Sequence, residues 1–204
     1  IDEFANDRNV ETVPEREPIS SNGTQNSLPR KAQFLGSLAG ANKGGDENLR
    51  LGFVVQGAIS TSSDVDVYSF KAKSETEVWF DLDRTSQSLD AVIELVDEFG
   101  NILARTDNSA DETLGADSLL GEGAFRMQKA PPYEGLDLYS TNVRDPGMRM
   151  VLPGPPGIEN TYFVRIRSVP KNKADLGTSQ PASVSEAHVT KGNSAGAYEL
   201  QVRL

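Results

Sequence analysis

Hydrophobic and polar positions alternate most cleanly near the C-terminal end of the chain. Tyr162, Val164 and Ile166 alternate with Phe163, Arg165 and Arg167, and Tyr198, Leu200, Val202 and Leu204 alternate with Glu199, Gln201 and Arg203. A period of two marks strands with one buried face. Upstream, Phe53-Val54-Val55-Gln56-Gly57-Ala58-Ile59 predicts an opening strand, and Val65 to Phe70 predicts a second after a Ser/Thr/Asp turn. Val78, Phe80 and Leu82 share one face of the next strand, with Trp79 on the other. Ala91, Ile93 and Leu95 form an inward row, and Asp97-Glu98-Phe99-Gly100-Asn101 is a hairpin turn into Ile102-Leu103-Ala104. No segment offers an amphipathic helix longer than two or three turns. The expected fold is all-β, an antiparallel, jelly-roll-like β-sandwich.

Two stretches fall outside this pattern. Residues 1–33 are polar, hold Pro14, Pro18 and Pro29, and contain the turn-prone run Ser20-Ser21-Asn22-Gly23-Thr24. They are expected to form an extended N-terminal arm ahead of a sandwich domain spanning residues 34–204. Between about 108 and 159 the alternation loosens around Ala130-Pro131-Pro132-Tyr133 and Pro153-Gly154-Pro155-Pro156-Gly157. A structureless loop of that length is uncommon in a compact domain. The insertion is therefore expected to carry an extra hairpin or to serve as an interaction loop.

Composition narrows the function classes. A chain of 204 residues can bury a real core and suits one embellished domain. Cysteine is absent, so a disulfide framework and thiolate metal sites are excluded. No apolar run approaches the ~20 residues of a membrane span. The chain starts at Ile1, which reads as a processed product or an excerpt of something longer. Its net charge of -10 is concentrated: residues 64–122 hold 15 Asp or Glu against 4 Lys or Arg. Such an acidic block is the opposite of a nucleic-acid-binding stripe. It favours divalent cations or a basic partner surface, or simply forms a solvated rim that keeps the protein soluble.

Candidate chemistry is sparse. Asp64 and Asp66 lie two apart, so both carboxylates leave the same side of an extended chain. With Asp90 or Asp107 they offer the hard oxygen donors that calcium prefers. The competing reading gives Asp64 a turn to cap and Asp66 loop amides to satisfy. Gly192-Asn193-Ser194-Ala195-Gly196 fits the Gly-x-Ser-x-Gly pattern of hydrolase nucleophiles, but that chemistry needs a strand-to-helix turn and only a terminal strand follows. The single histidine, His188, lies six residues from Ser194, which makes a base oriented by a third group hard to assemble. One histidine also excludes His-rich zinc sites. Asn22-Gly23-Thr24 is a formal glycosylation sequon.

Taken in order, Gly57, Asp64-Val65-Asp66-Val67-Tyr68-Ser69-Phe70, Asp90 to Val96, Gly100 to Asp107, Thr161 to Arg167 and Gly196 to Leu204 resemble the pre-peptidase C-terminal domain. This is a family of small bacterial β-sandwiches appended to secreted proteins. The resemblance covers about half the chain. In calcium-binding relatives, including collagen-binding modules of bacterial collagenases, an acidic linker ahead of the first strand joins early-strand aspartates around calcium. The counterpart here is Glu15-Arg16-Glu17-Pro18-Ile19-Ser20, with Ile19-Ser20 where those relatives carry an Asn-Asn/Asp pair. The resemblance thus adds Glu17 to the candidate ligands. Relatives that bind collagen present exposed aromatics, for which Trp79 and Phe163 are the outward candidates. The expectation is a non-enzymatic extracellular or cell-surface bacterial module, possible calcium included, that serves adhesion or subunit assembly. Its partners would be neighbouring modules or subunits, met by arm docking or by strand addition at a sheet edge. The alternative is a substrate-targeting module of a secreted peptidase or glycosidase that binds collagen or another extracellular polymer.

Overall fold

The structure, a computed structural model, describes residues 10–17, 26–38, 51–107, 144–172 and 192–204. Ten strands occupy them: β1 (Val10–Pro14), β2 (Gln33–Ser37), β3 (Gly52–Ile59), β4 (Val65–Lys73), β5 (Glu77–Asp83), β6 (Ala91–Val96), β7 (Ile102–Thr106), β8 (Gly147–Val151), β9 (Glu159–Ser168) and β10 (Gly196–Arg203). One sheet has the order β1-β3-β10-β5-β8 and the other β2-β4-β9-β6-β7. The only helical element among the described residues is a short 3-10 turn, Pro29–Lys31. None of them forms a helix long and apolar enough to cross a membrane. The asparagine of the sequon, His188 and residues 108–143 of the insertion lie outside the described residues.

The all-β sandwich follows from the alternation. Phe53 and Val55 of β3, Phe80 and Leu82 of β5, and Leu200 and Val202 of β10 turn inward from one sheet. Phe70 of β4, Ile93 and Leu95 of β6, and Val164 and Ile166 of β9 meet them from the other. Phe70 and Phe80 touch across the interface with ring centroids 5.9 Å apart. Burial of this kind contributes about 25 cal/mol per Å² of apolar surface and is the main force closing the two layers. Of the insertion, Gly147–Val151 forms β8, one edge strand paired antiparallel with β5.

The N-terminal segment does more than extend. Residues 10–14 form β1, which pairs in parallel with β3. Gln33 to Ser37 form β2, which pairs in parallel with β4. All other strand pairs are antiparallel. Both sheets are therefore mixed, with their parallel strands side by side at one edge of the sandwich. Parallel pairing needs a long connection and leaves no hairpin signal in the sequence.

The outer face of the β9 sheet holds a second departure from simple alternation. Arg165 and Arg167 point away from the core yet are buried, because both close on Glu94 of β6. Arg165 Nε donates to Glu94 Oε2 at 2.6 Å, and Arg167 Nη2 donates to Oε1 at 2.8 Å. Burial alone would push the Glu94 carboxyl up, but the two guanidinium charges and their hydrogen bonds outweigh it and hold it at about 2, against 4.5 for a free glutamate. A depressed carboxylate contributes stability above the unfolded value that disappears as pH falls through the folded one. Stability should therefore drop between about pH 4.5 and 2, by roughly 3 kcal/mol from this group. Glu94→Gln, which strands two buried arginines, should cost about 3–5 kcal/mol at neutral pH in denaturant titrations and flatten that acid limb.

A buried acidic cluster at the arm junction

Where β1 and β2 meet the sandwich, four carboxylates and an asparagine converge. Asp64 and Asp66 come from the entrance of β4, and Glu15 and Glu17 from the segment just after β1. Carboxylate oxygens of Glu17, Asp64 and Asp66 lie within 4.8 Å of one another, and all three residues are buried. Glu15 joins from the arm through its electrostatic interaction with Asp66.

Each residue has a local reason for its place. Asp64 ends a tight turn: its Oδ2 accepts from Ser60 N at 2.5 Å and its Oδ1 from Val65 N at 2.8 Å. This is the capping role weighed from sequence, and the carboxylate faces the cluster as well. Asp66 points inward with no solvent exposure. Its Oδ2 accepts from Tyr198 Oη at 2.7 Å, and Tyr68 Oη lies 2.7 Å from Tyr198 Oη. Because the Tyr198 proton is committed to Asp66, Tyr68 is the donor to Tyr198. Burial, then the charge of Asp66, pushes both phenols well above their ordinary range, so they stay protonated. Gly57 makes this chain possible. It lies opposite Tyr198, and a Cβ there would sit 2.5 Å from the ring.

The arm is tied in by Glu15. Its Oε2 accepts from Ala58 N at 2.8 Å and its Oε1 from Asn26 Nδ2 at 3.2 Å. Asn26 O accepts from Val67 N, which docks this part of the arm on β4. Two buried oxygens remain without a hydrogen bond: Asp66 Oδ1 and Asn26 Oδ1. A buried acceptor left so costs about 1–3 kcal/mol, more when charged.

The electrostatics carry the same strain. Burial first, then the close approach of the Glu15 carboxylate and the charges of Glu15 and Asp64, push Asp66 well above the carboxylate range. Glu15 is pushed up mainly by burial, and Asp64 by burial with a contribution from Glu17. Like charges this close disfavour joint ionisation. Hard oxygens, two of them orphaned and no soft donor among them, form a set that suits a divalent hard cation.

Sequence reasoning named Glu17, Asp64 and Asp66 and missed Glu15 and Asn26. The remaining candidates lie elsewhere. Asp90 precedes β6, two strands along the sheet from β4, and Asp107 follows β7, three strands along. The backbone of Asp90 anchors Ser194: Asp90 N donates to Ser194 Oγ at 2.9 Å, and Ser194 Oγ lies 3.1 Å from Asp90 O and 2.7 Å from Ser168 Oγ. The Gly-x-Ser-x-Gly serine thus latches a loop onto β6 and β9. Trp79 is 44% exposed on the outer face of the β5 sheet, with Arg149 stacked 4.8 Å over its ring. Phe163 is half-buried on the outer face of the other sheet. The two aromatics face opposite ways and share no platform, and Tyr68, Tyr162 and Tyr198 are buried.

No family model and no curated protein matches the chain. Among solved structures it is similar to the pre-peptidase C-terminal domain of collagenase from Bacillus anthracis, at 13% identity and a TM-score of 0.38, covering 84% of this chain and 94% of that one. It is also similar to PliG from Aeromonas hydrophila, a periplasmic lysozyme inhibitor of g-type lysozyme, at 9% identity and a TM-score of 0.30, covering 95% and 96%. Both likenesses are distant and carry no argument about what this chain binds.

Asp66→Asn removes the most heavily penalised charge while keeping the acceptor for Tyr198. A raised carboxyl costs stability once pH exceeds its unfolded value. In chelator at neutral pH, Asp66→Asn should therefore melt no lower than the parent chain and about 1–2 kcal/mol more stable. A clear loss of stability would show that the cluster is not strained.

Proposed function

We propose that this chain is a non-enzymatic, extracellular β-sandwich module of a bacterial surface or secreted protein, serving adhesion or subunit assembly, with calcium as the ion that relieves its acidic cluster. The observation that carries the reading is the cluster's position. Asp64 and Asp66 come from the sandwich and Glu17 from the arm, where Glu15 and Asn26 are bonded beside it. An ion held there fastens one part of the fold to another. The orphaned Asp66 and Asn26 oxygens supply coordination sites without breaking any existing hydrogen bond. Calcium takes six to eight oxygens in flexible geometry, and extracellular modules bind it at about 10⁻⁴–10⁻³ M, within reach of such a site. Ser194, the one catalytic candidate in the sequence, has its hydroxyl committed to Ser168 and the Asp90 backbone. That supports a role carried by surfaces.

Differential scanning with calcium and with chelator tests the cation. At a hundredfold excess over Kd the folded state gains about 2.7 kcal/mol, or roughly 5–10 °C for a chain of this size. Asp66→Asn should abolish most of that shift. Equal melting temperatures with calcium and chelator would leave Asp64 as a turn cap and nothing more.

A further inference from the structure

The edge of β3 is built to receive a strand. β10 holds it from the other side through eight register pairs, and Phe53, Val55 and Ile59 pin it into the core. β1 adds little to that core. None of its five residues is fully buried, and only Val13 packs partly against the interior. What holds residues 10–17 is hydrogen bonding. β1 pairs from Val10 opposite Gly52 to Pro14 opposite Gln56, and Glu15 N continues the ladder to Gln56 O. The buried side chain of Gln33 on β2 then grips the same segment twice, its Nε2 donating to Pro14 O at 2.9 Å and its Oε1 accepting from Arg16 N at 2.8 Å. Ala58 N takes the Glu15 carboxylate. These contacts recognise backbone and a carboxylate, with no large side chain in a pocket. Nor does a hairpin bind β1 to its own β3, because the pairing is parallel and residues 15–51 lie between them.

We infer that the β3 edge, Gln33 and the Ala58 amide form an acceptor that takes residues 10–17 from a second copy of this chain as well as from its own. Every contact that seats the strand within one copy is reproduced when two copies exchange strands. Exchange of an identical element is a low-cost route to association, governed by concentration and linkage. Strand addition at an edge gives affinity through the main chain. The inference rests on the reading of the chain as a contact module, and names its partner.

Cross-linking tests it, since the chain has no cysteine. Thr12 and Val54 are Cα partners in the β1–β3 ladder, close enough for a disulfide between neighbouring strands. The double variant Thr12→Cys/Val54→Cys, oxidised at low concentration, checks the geometry within one copy. The test mixes a Thr12→Cys chain with a Val54→Cys chain, co-refolded at high concentration and oxidised mildly. A Thr12–Val54 disulfide between chains, identified by peptide mass mapping and rising with concentration, is expected. A mixture of Thr12→Cys with Glu98→Cys, at the exposed β6–β7 turn, sets the background. Sedimentation of the unaltered, co-refolded chain should show a dimer fraction. A strictly monomeric chain, or a mixed cross-link no greater than background, overturns the inference. A dimer whose melting temperature ignores calcium would sink the cation reading alone, and a calcium shift without the inter-chain link would sink strand exchange alone.

Discussion

A sheet edge is a row of unpaired N–H and C=O groups, and this sandwich has two such edges on the same side, along β3 and β4. Left open, they invite pairing with any passing strand. One N-terminal segment covers both: β1 lies on β3, and β2 on β4. The described residues on either side of the β1–β2 connection, Glu17 and Asn26, both lie beside the start of β4. The carboxylates that meet there are a consequence of this path. Glu15 and Glu17 come from the segment after β1, Asp64 and Asp66 from the entrance of β4, and Asn26 donates to Glu15.

The molecule buries charge in two opposite ways. On the outer face of the β9 sheet, Glu94 lies between two guanidinium groups, and every carboxylate oxygen has a donor. There the carboxylate is neutralised within the polypeptide, although Arg167 Nη1 keeps no acceptor, and the carboxyl is held near 2. At the arm junction the same kind of group, Asp66, faces three more carboxylates and keeps one oxygen without a partner. Its carboxyl is driven upward. The first site is a lock made of side chains alone. The second is satisfied only by a proton or by a positive species from outside the polypeptide.

How legible all this was depended on the range of the interaction concerned. β9 and β10 announce themselves through strict alternation, since each inward residue meets the core regardless of its sequence neighbours. β1 left no such trace: Glu11, Thr12 and Pro14 are exposed, Val10 and Val13 only partly buried, and its pairing is parallel. Arg165 and Arg167 read as solvent-facing because alternation places them outward, which it does correctly. What it missed was Glu94, a single acid inside the apolar strand Ala91–Val96, and a lone acid there calls for a buried cation nearby. In the acidic cluster, Asp64 and Asp66 were visible through their spacing and Glu17 through family resemblance. Glu15 lies only two residues from Glu17, but nothing local marks it as part of the cluster. Asn26 had no signal, because its place is set by docking on Val67, forty-one residues away.

The two halves of the cluster also differ in how they are held. Asp66 is anchored through Tyr198 and Tyr68, both fully buried, and Tyr198 lies flat against β3 only because Gly57 lacks a side chain. That half is as rigid as the core itself. The other half rides on a segment held by hydrogen bonds and one partly buried valine. Between a fixed half and a docked half, binding is reciprocal: whatever a bound cation adds to arm docking, a docked arm adds to cation affinity. The carboxylates that penalise docking in the absence of a cation thereby become its reason in the presence of one. The same reciprocity holds whichever copy of the chain supplies the arm, because the fixed half presents identical groups to either.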